Sequence, residues 1–180
     1  MTGPRAPVGH VYAIGLGSNR ALSARLGPRR IVESACAALD EAPLRLLACS
    51  PIIATRPLGP SLRSYANAAA LVATDLAPLA MLDLLQAIEH RFHRRRYRRW
   101  GPRTLDLDLL LWSGGRVASP RLTVPHPALP TRLFVLEPLC HIAPDWHHPG
   151  TGLTIRQMFS RLNRGRPVAP GRDGLPRTAG

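Results

Sequence analysis

Residues 10–19, "HVYAIGLGSN", begin as a β-branched, half-apolar run and end in Gly17-Ser18-Asn19, which predicts a strand running into a loop. Pro28 suits the first turn of a helix, and Ile31, Ala35 and Leu39, with Val32 and Cys36, give that helix an apolar stripe at i, i+4 spacing. "LRLLACSPIIAT" and "YANAAALVATDL" predict a second and a third strand, separated by the turn-rich "RPLGPSLRS". Pro78 opens a second helix through Met81, Leu82, Leu85, Ile88 and Phe92. "TLDLDLLLW" predicts a fourth strand, and "LFVLEPLCHI" and "TIRQMFSRL" two short helices, the latter capped by Thr154.

The order strand, helix, strand, strand, helix, strand is the split βαβ pattern of a ferredoxin-like α+β sandwich, a βαββαβ core with an antiparallel sheet and extra C-terminal elements. A chain of 180 residues is most economically one domain. The expected division is a flexible N-terminus over 1–9, one domain over 10–163, and a disordered basic tail over 164–180, too rich in Gly, Pro and Arg to pack.

Charge narrows the choice of partner. The formal net charge is +13, which favours polyanions: nucleic acid, a membrane surface or a phosphorylated small molecule. All 24 basic residues are arginine, so any mechanism needing a lysine amine is excluded. Cys36, Cys49 and Cys140 form no CxxC pair and are expected as buried free thiols in a reducing cytoplasm. Neither a signal-peptide core nor an apolar run of membrane-spanning length is present, so the expectation is a cytoplasmic protein with no membrane partner.

The candidate chemistry gathers in "RRRYRRWGPRTLDLDLLLW". On a strand, alternate residues share a face, so Thr104, Asp106 and Asp108 point one way and Leu105, Leu107 and Leu109 the other. The two aspartate Cα atoms would lie roughly 7 Å apart, within reach of shared divalent ions such as Mg²⁺, which take oxygen ligands and share them with substrate phosphates. A bare DxD is more commonly an amphipathic strand with a solvated acidic face. Arg94, Arg95, Arg96, Arg98, Arg99 and Arg103 precede it, and guanidinium groups bind phosphate bidentately. Arginines here also suit a helix C-terminus or a nucleic-acid loop. The adjoining aspartates would repel a phosphate backbone unless metal lay between, which ranks nucleic acid second.

Other motifs carry less. "GLGSNR" has Arg20 at the third glycine position of a dinucleotide fingerprint, so its glycines are read as allowing a tight turn or close backbone approach. His126 lies between Arg121 and Arg132, a phosphate-friendly arrangement. Glu89, His90 and His93 stand at helical spacing without a third-ligand partner, and His147 and His148 have still less support, so none receives a metal role.

Taken in order, "AIGLGSN", "ATRPLG", "YANAAA", "RRWGPRTLDLDLLLW", "RLTVPHP" and "RLFVLEPLCHIAP" closely resemble the 6-hydroxymethyl-7,8-dihydropterin pyrophosphokinase family over roughly residues 10 to 160. The resemblance implies transfer of the β,γ-diphosphate of ATP to the pterin hydroxymethyl group, with release of AMP and the use of two Mg²⁺ ions, in folate biosynthesis. It implies that Asp106 and Asp108 hold both metals, and that Asp106 helps to orient or deprotonate the attacking hydroxyl. Arg94, Arg96, Arg99 and Arg103 match positions that grip the triphosphate and steady the transferring group. Glu89, Arg121, Thr123, His126 and Arg132 match ATP-site positions. Thr55, Leu58, Tyr65, Asn67, Trp100 and Phe134 match the pterin pocket, with Trp100 bordering the ATP site as well; Tyr65 and Phe134 would sandwich the ring and Asn67 would read its polar edge. The partners implied are ATP and the dihydropterin, and the expected state is a monomer. The chain departs from the family pattern at His93, Ile53 and His141 and in "PSLRSY". A non-catalytic RNA-binding protein is the alternative from another class.

Overall fold

The computed structural model describes residues 9–23, 25–55, 64–92 and 104–164. Strand β1 (His10–Ser18) is followed by α1 (Pro28–Ala38), β2 (Arg45–Cys49), β3 (Ile53–Thr55), β4 (Tyr65–Thr74), α2 (Pro78–Arg91) and β5 (Asp106–Trp112). A short hairpin of β6 (Val117–Ala118) and β7 (Thr123–Val124) precedes α3 (Leu133–Ile142) and α4 (Ile155–Arg164). The five-stranded sheet runs β2-β4-β1-β5, with β3 also paired to β4, and its pairs are antiparallel. This is the expected ferredoxin-like arrangement, with the second strand divided in two.

The division has a local cause. Pro51 has no N–H to donate to a ladder, and Ser50 replaces it with a local pair of contacts: its N–H donates to Ala69 O (2.8 Å) and its Oγ accepts from Ala69 N–H (2.9 Å). "LRLLACSPIIAT" therefore forms two strands along one partner, not one. Both α1 and α2 start at proline, whose missing N–H is one of the unsatisfied donors of a first turn anyway. At α4 the expected cap forms: Gln157 N–H donates to Thr154 Oγ1 (3.2 Å) while Thr154 N–H donates to Gln157 Oε1 (3.0 Å). That helix includes Arg164, one residue beyond the expected domain end.

The sheet has apolar residues on both faces. Tyr12, Ile14, Leu16, Leu105, Leu107 and Leu109 pack with α1 and α2 on one side, while Ala13, Ala69, Leu110 and Leu111 pack with α3 and α4 on the other. The Tyr12 hydroxyl donates to Leu76 O (2.6 Å), and burial pushes its pKa up to about 12. The strict alternation expected along β5 stops at Leu110, since Ile14 pairs with Leu109 but Ala13 pairs with Leu111. One extra residue at this bulge turns two successive leucines toward the α3–α4 layer. Peptide bonds Ala42-Pro43 and Val124-Pro125 are cis.

One sequence expectation is corrected here. Cys36 of α1 and Cys49 of β2 are joined as a disulfide, with Cα atoms 6.9 Å apart, instead of standing as separate free thiols. The reason is tertiary: the turn after α1 folds β2 back against the end of that helix. Cys140 is free and half-buried. Among the described residues no helix is long and apolar enough to cross a membrane. The expected tail, beyond Arg164, and residues 1–8 lie outside the described residues.

Candidate active site

Cross-strand register lays out the floor of the site. Asp106 and Asp108 on β5 stand opposite Gly17 and Gly15 on β1, and Gly17 is flanked on its other side by Asn67 of β4, itself opposite Ile53 of β3. Residues directly opposite one another share a face of the sheet. One row therefore runs Asp106, Gly17, Asn67, Ile53, and glycine leaves open the space between the acid and the amide. A Cβ on Gly17 would stand 3.4 Å from Asn67 Oδ1, and one on Gly15 would stand 3.3 Å from the Leu110 side chain. The glycines of "GLG" thus serve close approach across a sheet, as expected of them, and they are the floor residues that the family positions alone did not single out.

Both aspartates are half-buried, while Leu105, Leu107 and Leu109 between and around them are buried on the opposite face, as the alternation predicts. Because β5 is the outer strand of the described sheet, the Leu107 N–H has no strand to pair with on that side. It donates instead to Glu89 Oε1 (2.8 Å), a carboxylate of α2 that is only 2% exposed. Glu89, matched to the ATP site by resemblance, therefore also fixes the one residue that separates the two aspartates.

Across the floor, Asn67 Nδ2 donates to Thr55 Oγ1 (2.7 Å), and Thr55 pairs with Tyr65 at the start of β4. That bond holds the Asn67 amide in one orientation and leaves its other hydrogen-bonding positions for a ligand. Phe134 is half-buried in the first turn of α3, with the Arg132 guanidinium carbon 5.8 Å from its ring centroid. Ring pairs among the described residues lie within the cluster of His10, Tyr12 and Trp112, so Tyr65 and Phe134 are not stacked on each other. The structure brings Thr55, Tyr65, Asn67, Asp106 and Asp108 onto one face of the sheet.

On the far side of Asp108, His126 N–H donates to Leu110 O at the bulge (2.9 Å), and His126 Nδ1 accepts from Ala128 N–H (3.1 Å). Thr123 is exposed on β7, and the exposed Arg121 forms an ion pair with Asp83 of α2. Thr123 and His126 line a groove of about 310 Å³ that also takes in Arg116 and His148. His148 is buried and its Nδ1 accepts from Gly150 and Thr151 N–H (3.1 and 3.2 Å). Burial pushes its pKa below the usual histidine range, and the nearby Arg116 charge acts in the same direction. Leu58, Arg94, Arg96, Arg99, Trp100 and Arg103 lie outside the described residues.

The donor set suits Mg²⁺. Two half-buried carboxylates on one face, with glycines opposite, supply the one or two oxygen ligands that this ion takes from protein when phosphates and water provide the others. Among the described residues no group of three or more His, Cys, Asp or Glu gathers into a self-sufficient cage.

Fold and site define a class first: a ferredoxin-like α+β protein with an acidic pair and a polar slot on one face of its sheet. A family model described as 7,8-dihydro-6-hydroxymethylpterin-pyrophosphokinase (HPPK) matches residues 13–144, and the chain belongs to that family. It is 38% identical over 168 residues to the 2-amino-4-hydroxy-6-hydroxymethyldihydropteridine pyrophosphokinase of Synechocystis sp., covering 90% of this chain and 82% of that one. Against the enzyme of the same name from Pseudomonas aeruginosa it is 46% identical over 138 residues, covering 76% and 82%. Among solved structures, the wild-type Plasmodium falciparum HPPK-DHPS with pteroate shares the fold at a TM-score of 0.65 and 14% identity, covering 84% of this chain and 42% of that one. This chain spans less than half of that longer protein.

The depressed His148 pKa gives a signed prediction. Its folded pKa lies below the ordinary 6.5, so the unfolded chain binds more protons as pH falls through that value, and the stabilisation present above it is lost on acidification. Urea midpoints measured from neutral pH down to about pH 5 should fall less steeply for His148→Gln than for the parent. Parallel curves would show that His148 titrates alike in both states.

Proposed function

We propose that this chain transfers the β,γ-diphosphate of ATP to the hydroxymethyl group of 6-hydroxymethyl-7,8-dihydropterin, releasing AMP, with Mg²⁺ held by Asp106 and Asp108. The observation that carries this reading is the single row across the sheet: carboxylate, glycine, amide. In a member of this family, that row supports reading the two carboxylates as a metal edge beside a polar slot, with only glycine between them.

Each residue then has a task that its surroundings support. Asn67, steadied by Thr55, reads the polar edge of the pterin, while Tyr65 and Phe134 supply apolar area for its flat ring. Asp106, nearest the Gly17–Asn67 row, orients the attacking hydroxyl and takes up its proton. Two Mg²⁺ ions would be held by Asp106 and Asp108 and would supply neutralisation of the phosphate charge. Thr123, His126 and Arg132 approach the nucleotide from the β7–α3 side, with Arg121 released from Asp83 or shared with it. Glu89 holds Leu107, and through it the spacing of the two acids. Arg94, Arg96, Arg99 and Arg103 grip the triphosphate in this reading. Transfer of this kind depends on positioning and charge neutralisation more than on covalent chemistry, so a chain without lysine suffices.

AMP release from ATP should appear only when both the dihydropterin and Mg²⁺ are supplied. Asp106→Ala and Asp108→Ala should each lower turnover by at least about 10²–10³-fold while circular dichroism stays that of the parent. Folded protein that forms no AMP under these conditions would sink the proposal. Gly17→Val tests the floor separately. A β-branched side chain suits a strand, so the melting temperature should move by no more than about 4 °C. Its bulk between Asp106 and Asn67 should nevertheless reduce kcat/KM about a hundredfold, and a fully active variant would show that substrate does not cross this row.

A further inference from the structure

The groove beyond His126 has a chemistry of its own. Among the described residues Arg116, His126 and His148 contribute its ionisable side chains and no carboxylate lines it, and its walls are Val117, Val124 and prolines. Both histidines are fixed in the same state by the backbone: each Nδ1 accepts an N–H, so the neutral ring carries its proton on Nε2 and offers a donor there. No described residue accepts a hydrogen bond from either Nε2, and no carboxylate among the described residues pairs with Arg116. The guanidinium is also held close to the second ring. A Cβ on Gly150 would lie 2.9 Å from Arg116 Nη2 and 2.9 Å from His148 Cε1, so the two groups meet over a bare Cα. Arg116 is exposed, His126 half-buried and His148 buried, and three basic side chains lining one groove with no described carboxylate beside them are complementary to an anion.

We propose that Arg116 and His148, together with His126, form an anion subsite that takes a phosphate group. A guanidinium binds phosphate oxygens bidentately, and imidazole N–H groups are donors that such oxygens accept. The apolar walls and a volume of about 310 Å³ leave room for an organic body attached to that phosphate. The subsite shares His126 with the nucleotide side proposed above, and it rests on that reading only for the source of the phosphate, which is either a nucleotide or the free ion.

The test is a titration of the full chain, without pterin or Mg²⁺, followed by NMR of the histidine ring nitrogens, with His148→Gln used to assign the signal. Inorganic phosphate and AMP are the probes. A saturable shift of the His148 ring is expected, and Arg116→Ala should weaken binding of the responsible probe about tenfold or more, while its one-dimensional spectrum remains that of folded protein. AMP binding much more tightly than phosphate assigns the subsite to a nucleotide; equal affinity assigns it to the free ion. No saturable shift with either probe, or equal affinity for parent and Arg116→Ala, overturns the proposal. Because no turnover is involved, failure of the pyrophosphokinase reading would leave this result intact, and the reverse also holds.

Discussion

A buried carboxylate of α2 holds the edge of the sheet in place. Glu89 Oε1 accepts the Leu107 N–H on the side of β5 where no described strand lies. An unpaired backbone donor at such a place would cost about 1–3 kcal/mol, and a bond to a charged acceptor is among the stronger ones. Leu107 is the single residue between Asp106 and Asp108, so fixing its amide fixes the direction in which both carboxylates leave the strand. The acid that looks like a nucleotide contact in sequence is also what makes the acidic edge rigid. It stands three residues before Phe92, the last described residue of this stretch.

The rest of the site follows from sheet geometry. Antiparallel pairing aligns Asp106 with Gly17 and Gly17 with Asn67, and the absence of side chains on Gly15 and Gly17 turns the middle of the sheet into a floor. The bulge at Leu110 then closes one end. It turns leucines toward the α3–α4 layer and presents the Leu110 carbonyl to His126, which ties the β7–α3 segment to the strand carrying the aspartates. Acid pair, polar slot and the groove beside His126 are thus three parts of one strand arrangement.

Much of the fold was legible because its signals are local. The i, i+4 stripe of α1, the proline starts of α1 and α2, the Thr154 cap and the alternation of "TLDLDL" all depend on residues near one another in sequence. What escaped depends on tertiary neighbours. Nothing in "LRLLACSPIIAT" itself says that Ser50 will take over the Ala69 contacts and divide the strand. The Cys36–Cys49 bond requires β2 to fold back on α1, and the two-residue strands β6 and β7 are too short to leave a periodic trace. In the site, the face shared by Asp106 and Asp108 follows from period-two alternation alone. Asn67, Thr55, Tyr65 and Phe134 came only from the resemblance, because no spacing rule joins β3, β4 and α3. Arg116 and His148 were passed over because a lone arginine and a histidine beside proline carry no pattern until the chain brings them together.

That the two aspartates act together as a metal edge beside the glycine floor is most directly tested by diffraction. Crystals grown with Mn²⁺ and a non-hydrolysable ATP analogue, measured at the manganese absorption edge, should show anomalous peaks against the carboxylates of both Asp106 and Asp108, with the phosphates on their other side. Peaks placed elsewhere, or a nucleotide bound with no metal at these two residues, would contradict it.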